Sequence, residues 1–285
     1  MHLGRRLRLA FGLLCGLLLA GCAASTQLTN DDIRLYTNAV QVPSSRAVAD
    51  SLVCVSYNIA FAAELDLALG DLRKHEISLF ADILFLQEMN ATGAAYLAAE
   101  LGLNYYYFPS YISPHHGDLF GNAVLSPWPL TNAKSIVLPH PNPLTEDRRA
   151  ALAVDVTMGD RTVQAISVHL ATLVVELENR VEQAEVIRDS LVAPTGPVVV
   201  AGDFNSGNDY ESMRFRRVFR KKSFREARLG LDRTAQAGPL DLVGYHLKLD
   251  HIYYRNMAYV HAGGLLETEA SDHFPIWAIL QFLDR

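Results

Sequence analysis

Cysteine is scarce in this chain. Three occur in 285 residues, Cys15, Cys22 and Cys54, and the first two belong to the N-terminal apolar run and its end. A disulfide-stapled scaffold is thereby excluded, and Cys54, inside an apolar stretch, reads as a small buried hydrophobe. Long hydrophobic runs are missing too. Past residue 21 none approaches the roughly 20 apolar residues a spanning helix needs, so no membrane-crossing helix is expected there. Positive charge is not in excess: the formal net charge is −6, which argues against broad nonspecific affinity for nucleic acid. No internal repeat, low-complexity tract or evident linker interrupts the chain from residue 50 onward. What is present is a composition that is 50% hydrophobic, enough for a sizeable core. At about 100–200 residues per domain the length suits one large domain or two small ones, and the lack of a linker favours one.

The N-terminus carries a targeting signature. Arg5, Arg6 and Arg8 precede the apolar residues 9–19, and Leu19-Ala20-Gly21-Cys22 stands at the cleavage position. This tetrapeptide resembles the lipobox of bacterial lipoproteins. The resemblance implies removal of residues 1–21, lipidation of Cys22 and anchoring to an extracytoplasmic membrane face. Ala23 rather than Asp after the cysteine points to the outer rather than the inner membrane. An ordinary signal peptide or anchor that contains a cysteine is the alternative. Residues 22–50 are expected to form a polar tether and 51–285 the folded domain. Loss of the three leader arginines takes the net charge to −9. Residues 214–229 hold eight basic side chains against one acid, Glu226, which leaves −16 on the remainder.

Apolar segments that end in polar side chains recur along the domain. Residues 52–58, 82–88, 162–170 and 198–203 read as strands finishing near Asn58, Glu88, His169 and Asp203. Further strands are expected at 121–126, 151–156, 249–254, 257–265 and 275–282, and helices at 66–80, 92–101, 176–191 and 210–221. Helices between strands predict a layered α/β domain with a site at one edge of its sheets.

The most informative stretch is P-V-V-V-A-G-D-F-N, residues 197–205. A buried strand delivers Asp203 and Asn205 onto the lip of a sheet, where an acid and an amide suit a hard cation and a phosphate. Turn chemistry alone would explain Asn205 but not the whole segment. Glu88 ends an otherwise apolar strand and must be exposed, paired or metal-bound, because an unpaired buried carboxylate is costly; an ordinary strand-end acid is the plain alternative. Gln87 should face the other side of that strand. His169 alone would pass for a satisfied core histidine. His273 follows Asp272, and Asp250 is available to fix its tautomer if their strands are neighbours. His251, next to Asp250, should point away from it. Together these acids, amides and histidines form the set that a one-metal phosphoester hydrolase requires.

S-Y-N-I, D-I-L-F-L-Q-E, G-N-A-V-L-S, S-V-H-L, V-A-G-D-F-N, L-D-H-I and S-D-H-F occur in this order between residues 56 and 274. Each is loose, but the ordered set resembles the endonuclease/exonuclease/phosphatase superfamily of deoxyribonuclease I-like hydrolases. The resemblance implies a four-layer α/β sandwich, two packed mixed sheets flanked by helices. It casts Glu88, Asn58 and Asp272 as metal residues. Asp203 and Asn205 would orient nucleophile and phosphate, His273 held by Asp250 would be the general base, and His169 would contact the phosphate or assist the leaving group. A cation, Mg2+ foremost and Mn2+ or Ca2+ on the same oxygen donors, would neutralise phosphate charge. Arg148 or Arg149 would clamp phosphate, or the pair is a solvated loop end, and His115 is a further substrate-facing candidate.

The substrate stays open. A nuclease, a phosphodiesterase or phosphatase acting on phospholipid head groups, and a non-catalytic lipoprotein binding module are the three readings, and no protein partner is inferable. Residues 214–229, with Phe215, Phe219 and Phe224 interleaved, fit a guide for a polyanion. They also fit a contact with anionic lipid, or a solvated helix face whose phenylalanines join the core.

Overall fold

The computed structural model describes residues 34–38, 40–113, 117–238 and 246–283, so Cys22 and His115 lie outside the described residues. Thirteen strands form two mixed sheets. The first contains β1 (Tyr36–Thr37), β2 (Ser51–Asn58), β3 (Ile83–Met89), β4 (Asn104–Ile112), β5 (Leu119–Ser126), β12 (Met257–Gly264) and β13 (Ile276–Phe282), in the order β1-β4-β5-β3-β2-β13-β12. The second contains β6 (Leu130–Val137), β7 (Ala150–Met158), β8 (Arg161–His169), β9 (Val198–Asp203), β10 (Arg225–Glu226) and β11 (Asp250–Arg255), in the order β10-β11-β9-β8-β7-β6. Helices α1 (Leu65–Lys74) and α2 (Ala91–Leu101) cover the first sheet; α3 (Leu177–Ser190) and α4 (Asp209–Arg220) cover the second.

The continuous apolar runs are two interleaved faces. In β2, Leu52 and Cys54 enter the layer between the sheets, while Val55 and Tyr57 pack under α1 and α2. In β9, Val199 and Ala201 face the other sheet, while Val198 and Val200 pack under α3 and α4. Strands covered on both sides need no polar face, which is why they read as unbroken hydrophobic stretches. Each fully buried Val, Leu or Ile here contributes about 1.5–3 kcal/mol of transfer free energy. The result is the expected four-layer sandwich.

Three local expectations change. The helix expected over 66–80 stops at Lys74, because His75 is extended, and resumes as the single turn Glu76–Leu79. Strands β4 and β6 were not legible. β4 is an aromatic run without alternation whose register slips at Pro109, and β6 is a largely polar edge strand with Asn132 at φ 51°. The later part of the expected 22–50 tether lies against the domain. β1 pairs with β4, Asn104 exchanges two hydrogen bonds with the Val42 backbone, and Arg46 donates to the Leu79 and Ala81 carbonyls. Among the described residues no helix is long and apolar enough to cross a membrane. The phenylalanines of the basic segment, Phe215, Phe219 and Phe224, are buried in the core beneath α4.

Candidate active site

Strand register collects the chemistry at one end of both sheets. Ala150, His169, Asp203 and Asp250 are consecutive neighbours across β7, β8, β9 and β11. Asp203 shares the inward parity of Val199 and Ala201, and Asn58 that of Leu52 and Cys54, so both turn into the cleft between the sheets. Gly202 permits this approach. A Cβ on it would sit 1.9 Å from the Val168 carbonyl oxygen, and its φ of 149° suits glycine alone.

Asp203 and Asp250 stand directly opposite each other, an arrangement that repels when both are charged. His273 relieves it. Its Nδ1 donates to Asp250 Oδ2 at 2.9 Å, and its Nε2 lies 3.8 Å from Asp203 Oδ2. The ring is aimed by Ser271, whose Oγ accepts from the His273 N–H at 3.0 Å and donates to the Asn58 carbonyl at 2.7 Å. Burial opposes protonation of His273, but Asp250 and Asp203 outweigh it and hold the imidazole pKa well above its ordinary 6.5. Burial pushes Asp203 up to about 7, against the pull of His273 and with the help of Asp250.

Asp203 is also held from its own strand end and from the facing sheet. Its Oδ1 accepts from the Asn205 N–H at 2.8 Å and its Oδ2 from Asn58 Nδ2 at 3.1 Å. Asn205 occupies the left-handed region at φ 50°, its Nδ2 donates to the Leu170 carbonyl at 3.0 Å, and its own carbonyl accepts from the buried Arg180 at 2.6 Å. His169 Nε2 is 3.4 Å from Asp203 Oδ2 and 4.0 Å from Glu88 Oε1, and its buried Nδ1 has no partner. Burial, then Arg149 and His273, drive its pKa well below 6.5.

Glu88 reaches the site through a backbone irregularity. Strict alternation gives the inward face to Gln87, which donates to Ser167 Oγ at 3.2 Å and accepts from Ser56 Oγ at 3.4 Å. Pairing with β5 slips between Leu86 and Met89, and Glu88 adopts φ 59° there. Its carboxylate then accepts from Asn58 Nδ2 at 3.2 Å and from the Phe61 N–H at 3.0 Å. Burial raises its pKa, Arg149 opposes this, and the nearby half-buried Asp272 adds to it. Asn58 is a bridge here. Its NH2 group clamps Glu88 and Asp203, while its Oδ1 accepts from the Ala60 N–H at 3.1 Å.

The structure separates the two arginines. Arg148 is exposed, whereas Arg149 is buried 5.3 Å over the Phe120 ring and 5.7 Å from that of Tyr111. Asp147 lies 3.7 Å from its Nη2, and its Nη1 has no hydrogen-bond partner. Burial disfavours its charge, but Tyr111, Asp147, Glu88 and Asp203 more than compensate and leave the guanidinium pKa raised. Two contributors escaped sequence reasoning. Ser271 is one. The other is Asn122, buried inside G-N-A-V-L-S, which donates to the Ala150 carbonyl at 2.7 Å; a polar residue within an apolar strand was its signal.

Residues 55–273 match the model of the Endonuclease/Exonuclease/phosphatase family. The chain belongs to this family. Its members are hydrolytic phosphoesterases. A UPF0294 protein of Vibrio parahaemolyticus is 30% identical over 115 residues, 40% of this chain and 38% of the relative, so the match spans about two fifths of that relative's length. A solved endonuclease/exonuclease/phosphatase from Beutenbergia cavernae shares the fold with a TM-score of 0.65 at 21% identity, over 81% of this chain and 72% of that one. D. rerio TDP2 complexed with a single-strand DNA product superposes with a TM-score of 0.60 at 17% identity, over 82% of this chain and all of that one.

Proposed function

We propose that this protein is a hydrolase that cleaves phosphodiesters of nucleic acid, with a divalent cation, Mg2+ foremost, and a water activated by His273. The observation that carries this reading is a pair of unspent buried nitrogens, Arg149 Nη1 and His169 Nδ1, beside Glu88, Asp203 and Asp250. A buried donor without a partner costs about 1–3 kcal/mol, more when charged. An incoming phosphate offers the guanidinium its missing acceptor. The DNA product bound to TDP2, a protein of the same fold, supports the choice of nucleic acid.

The acids present fit a hard cation. Glu88 is partly buried, with its charge opposed by desolvation and by Asp272. Among the described residues no ready-made cage of three or more His, Cys, Asp or Glu side chains exists. One or two carboxylates with water and substrate oxygens for the rest is how Mg2+ is commonly held, and Glu88 with Asp272 would supply them. The cation, when bound, neutralises phosphate charge.

The protein's own groups divide the remaining work. His273 Nε2 accepts the proton of the attacking water, while Asp250 fixes the Nδ1–H tautomer and stabilises the cation that forms. Asp203 and the neutral His169 line the same space and hold the phosphate and water in place, and Arg149 balances charge on the phosphoryl oxygens. Membrane anchoring through Cys22 belongs to the same proposal and stands on the lipobox resemblance.

Plasmid DNA, RNA, sphingomyelin, phosphoinositides and bis-p-nitrophenyl phosphate, each with Mg2+, Mn2+ or EDTA, test it. Nucleic-acid cleavage that EDTA and Glu88→Gln both abolish is expected. Turnover of lipid alone rejects the substrate, and undiminished turnover in EDTA rejects the cation.

A further inference from the structure

The basic segment is less uniform than its composition. Arg214 pairs with Glu178 at 2.6 Å, Arg216 with Glu226 at 2.6 Å, Lys221 with Glu185 at 2.9 Å, and Lys222 lies 3.7 Å from Asp189. These four are surface and interlayer ion pairs that fasten α4 to α3 and β10. Arg217, Arg220, Arg225 and Arg228 remain exposed and form no ion pair among the described residues. Three of them, Arg220, Arg225 and Arg228, line one cavity of about 980 Å³ together with Lys248, Tyr254 and Tyr259. Two acids line it as well, and Glu226 is already committed to Arg216 and His251. Among the described residues that line it, only Asp232 offsets the other cations. Such a concentration of uncompensated positive charge in a chain of net charge −6 focuses field and attracts anions.

The cavity and the candidate active site share one strand. Lys248 lies two residues before Asp250, and Tyr254 lies four residues after it on the same face of β11, about 13 Å away at 3.3 Å per residue. Lys248 is thus the lining cation nearest in sequence to the site, and the arginines extend the positive wall away from it. We propose that this cleft holds the phosphate backbone of single-stranded nucleic acid next to the phosphodiester being cleaved. The proposal rests on the nucleic-acid reading of the active site. A bilayer is the poorer occupant. The cavity is concave, and none of its lining residues is an exposed large hydrophobic side chain of the kind that inserts among lipids. Backbone contacts of this sort carry affinity rather than sequence preference.

The test uses the whole protein in EDTA, with a fluorescent 20-nucleotide single strand read by anisotropy across a salt series. The R220E/R225E/R228E variant is expected to bind at least tenfold more weakly. The slope of log affinity against log salt should fall by about 2, since each single-strand phosphate contact contributes about 0.7. R217E, an exposed arginine outside the cleft, controls for general charge and should bind as wild type does. Vesicles containing anionic lipid, sedimented with the same proteins, should show no loss specific to the triple variant. Unchanged oligonucleotide affinity in the triple variant, an equal loss in R217E, or a loss seen on vesicles alone overturns the proposal. Cleavage of the same strand with Mg2+ is scored separately. Binding that depends on the cleft without cleavage sinks the nuclease reading and keeps the cleft; cleavage with cleft-independent binding does the reverse.

Discussion

Asp250 and His251 are adjacent in sequence and serve two different histidine–acid pairs. On the cleft side of β11, Asp250 holds His273, which faces Asp203. On the helix side, His251 Nδ1 meets Glu226 at 2.7 Å and its Nε2 meets Ser206 Oγ at 2.6 Å. Taken as geometry, the second group is a Ser–His–Glu triad, the better-formed of the two. Its surroundings decide otherwise. Ser206 and His251 are fully buried, and Ser206 Oγ also contacts the Lys248 carbonyl and Ser212 Oγ, so its hydrogen-bonding capacity is spent inside the core. In the cleft Arg149 Nη1 and His169 Nδ1 are left without partners. The cleft group thus keeps hydrogen-bonding capacity unfilled, whereas every polar atom of the buried Ser–His–Glu trio is already partnered. The buried trio does have a role at a distance: it locks Ser206, the residue after Asn205, to β10 and β11.

Breaking each pair should give opposite signatures. The largest effect is expected from Asp250→Asn. Loss of the acid that orients His273 should lower kcat by about 10²–10⁴. Because Asp250 raises the His273 pKa and only the neutral ring accepts a proton, the wild-type rate should climb with pH through that raised value. In the variant the climb should move to lower pH, and a pH–rate profile of kcat/KM reads both changes. A profile that moves upward contradicts the assignment. Next comes Arg149→Lys, which keeps the charge but loses the guanidinium fork. A drop of about 10–100-fold in kcat/KM is expected, with Arg148→Lys near wild type. Equal effects at the two positions would return the pair to a solvated loop end.

The effect of the buried trio appears in stability rather than in rate. Burial works against the charge of Glu226, but His251 and Arg216 overcome it and bring its pKa from the ordinary 4.5 to about 2. A depressed carboxylate stabilises the fold above about pH 4.5, and that contribution is lost as pH falls from there towards about 2. Glu226→Gln should therefore cost at most about 3 kcal/mol at pH 7 and progressively less below pH 4.5, measured by urea unfolding at both ends. A penalty that stays constant with pH would show that packing, not charge, is what Glu226 contributes.

Much of this site was legible because strands with both faces buried announce themselves as apolar runs, and the residues that end them are few. Asn58, Glu88, His169 and Asp203 all declared themselves in that way, and the two-residue period correctly sent His251 to the opposite face from Asp250, which opens its strand. Period alone did not bring Glu88 into the cleft. A bulge with φ 59° does that, and no propensity of glutamate predicts it. Choosing between Arg148 and Arg149 needed burial, which two identical neighbours cannot reveal. The basic segment misled by sum: half of its eight cations are tied to acids, three on α3 and one, Glu226, within the segment itself, and its phenylalanines are core residues. Edge strand β6 and aromatic β4 carry no clean alternation and appeared only with the sheet around them.

Under the proposed function the cleft pair performs the hydrolysis and the buried trio does not. Single-turnover cleavage of one defined oligonucleotide by His273→Ala and by Ser206→Ala, in Mg2+ and at matched folded protein, tests it directly. His273→Ala should lose about 10²–10⁴ in rate, whereas Ser206→Ala should stay within about tenfold of wild type. Abolition by Ser206→Ala, with more than a tenth of the rate kept in His273→Ala, would move the chemistry from the cleft to the buried trio.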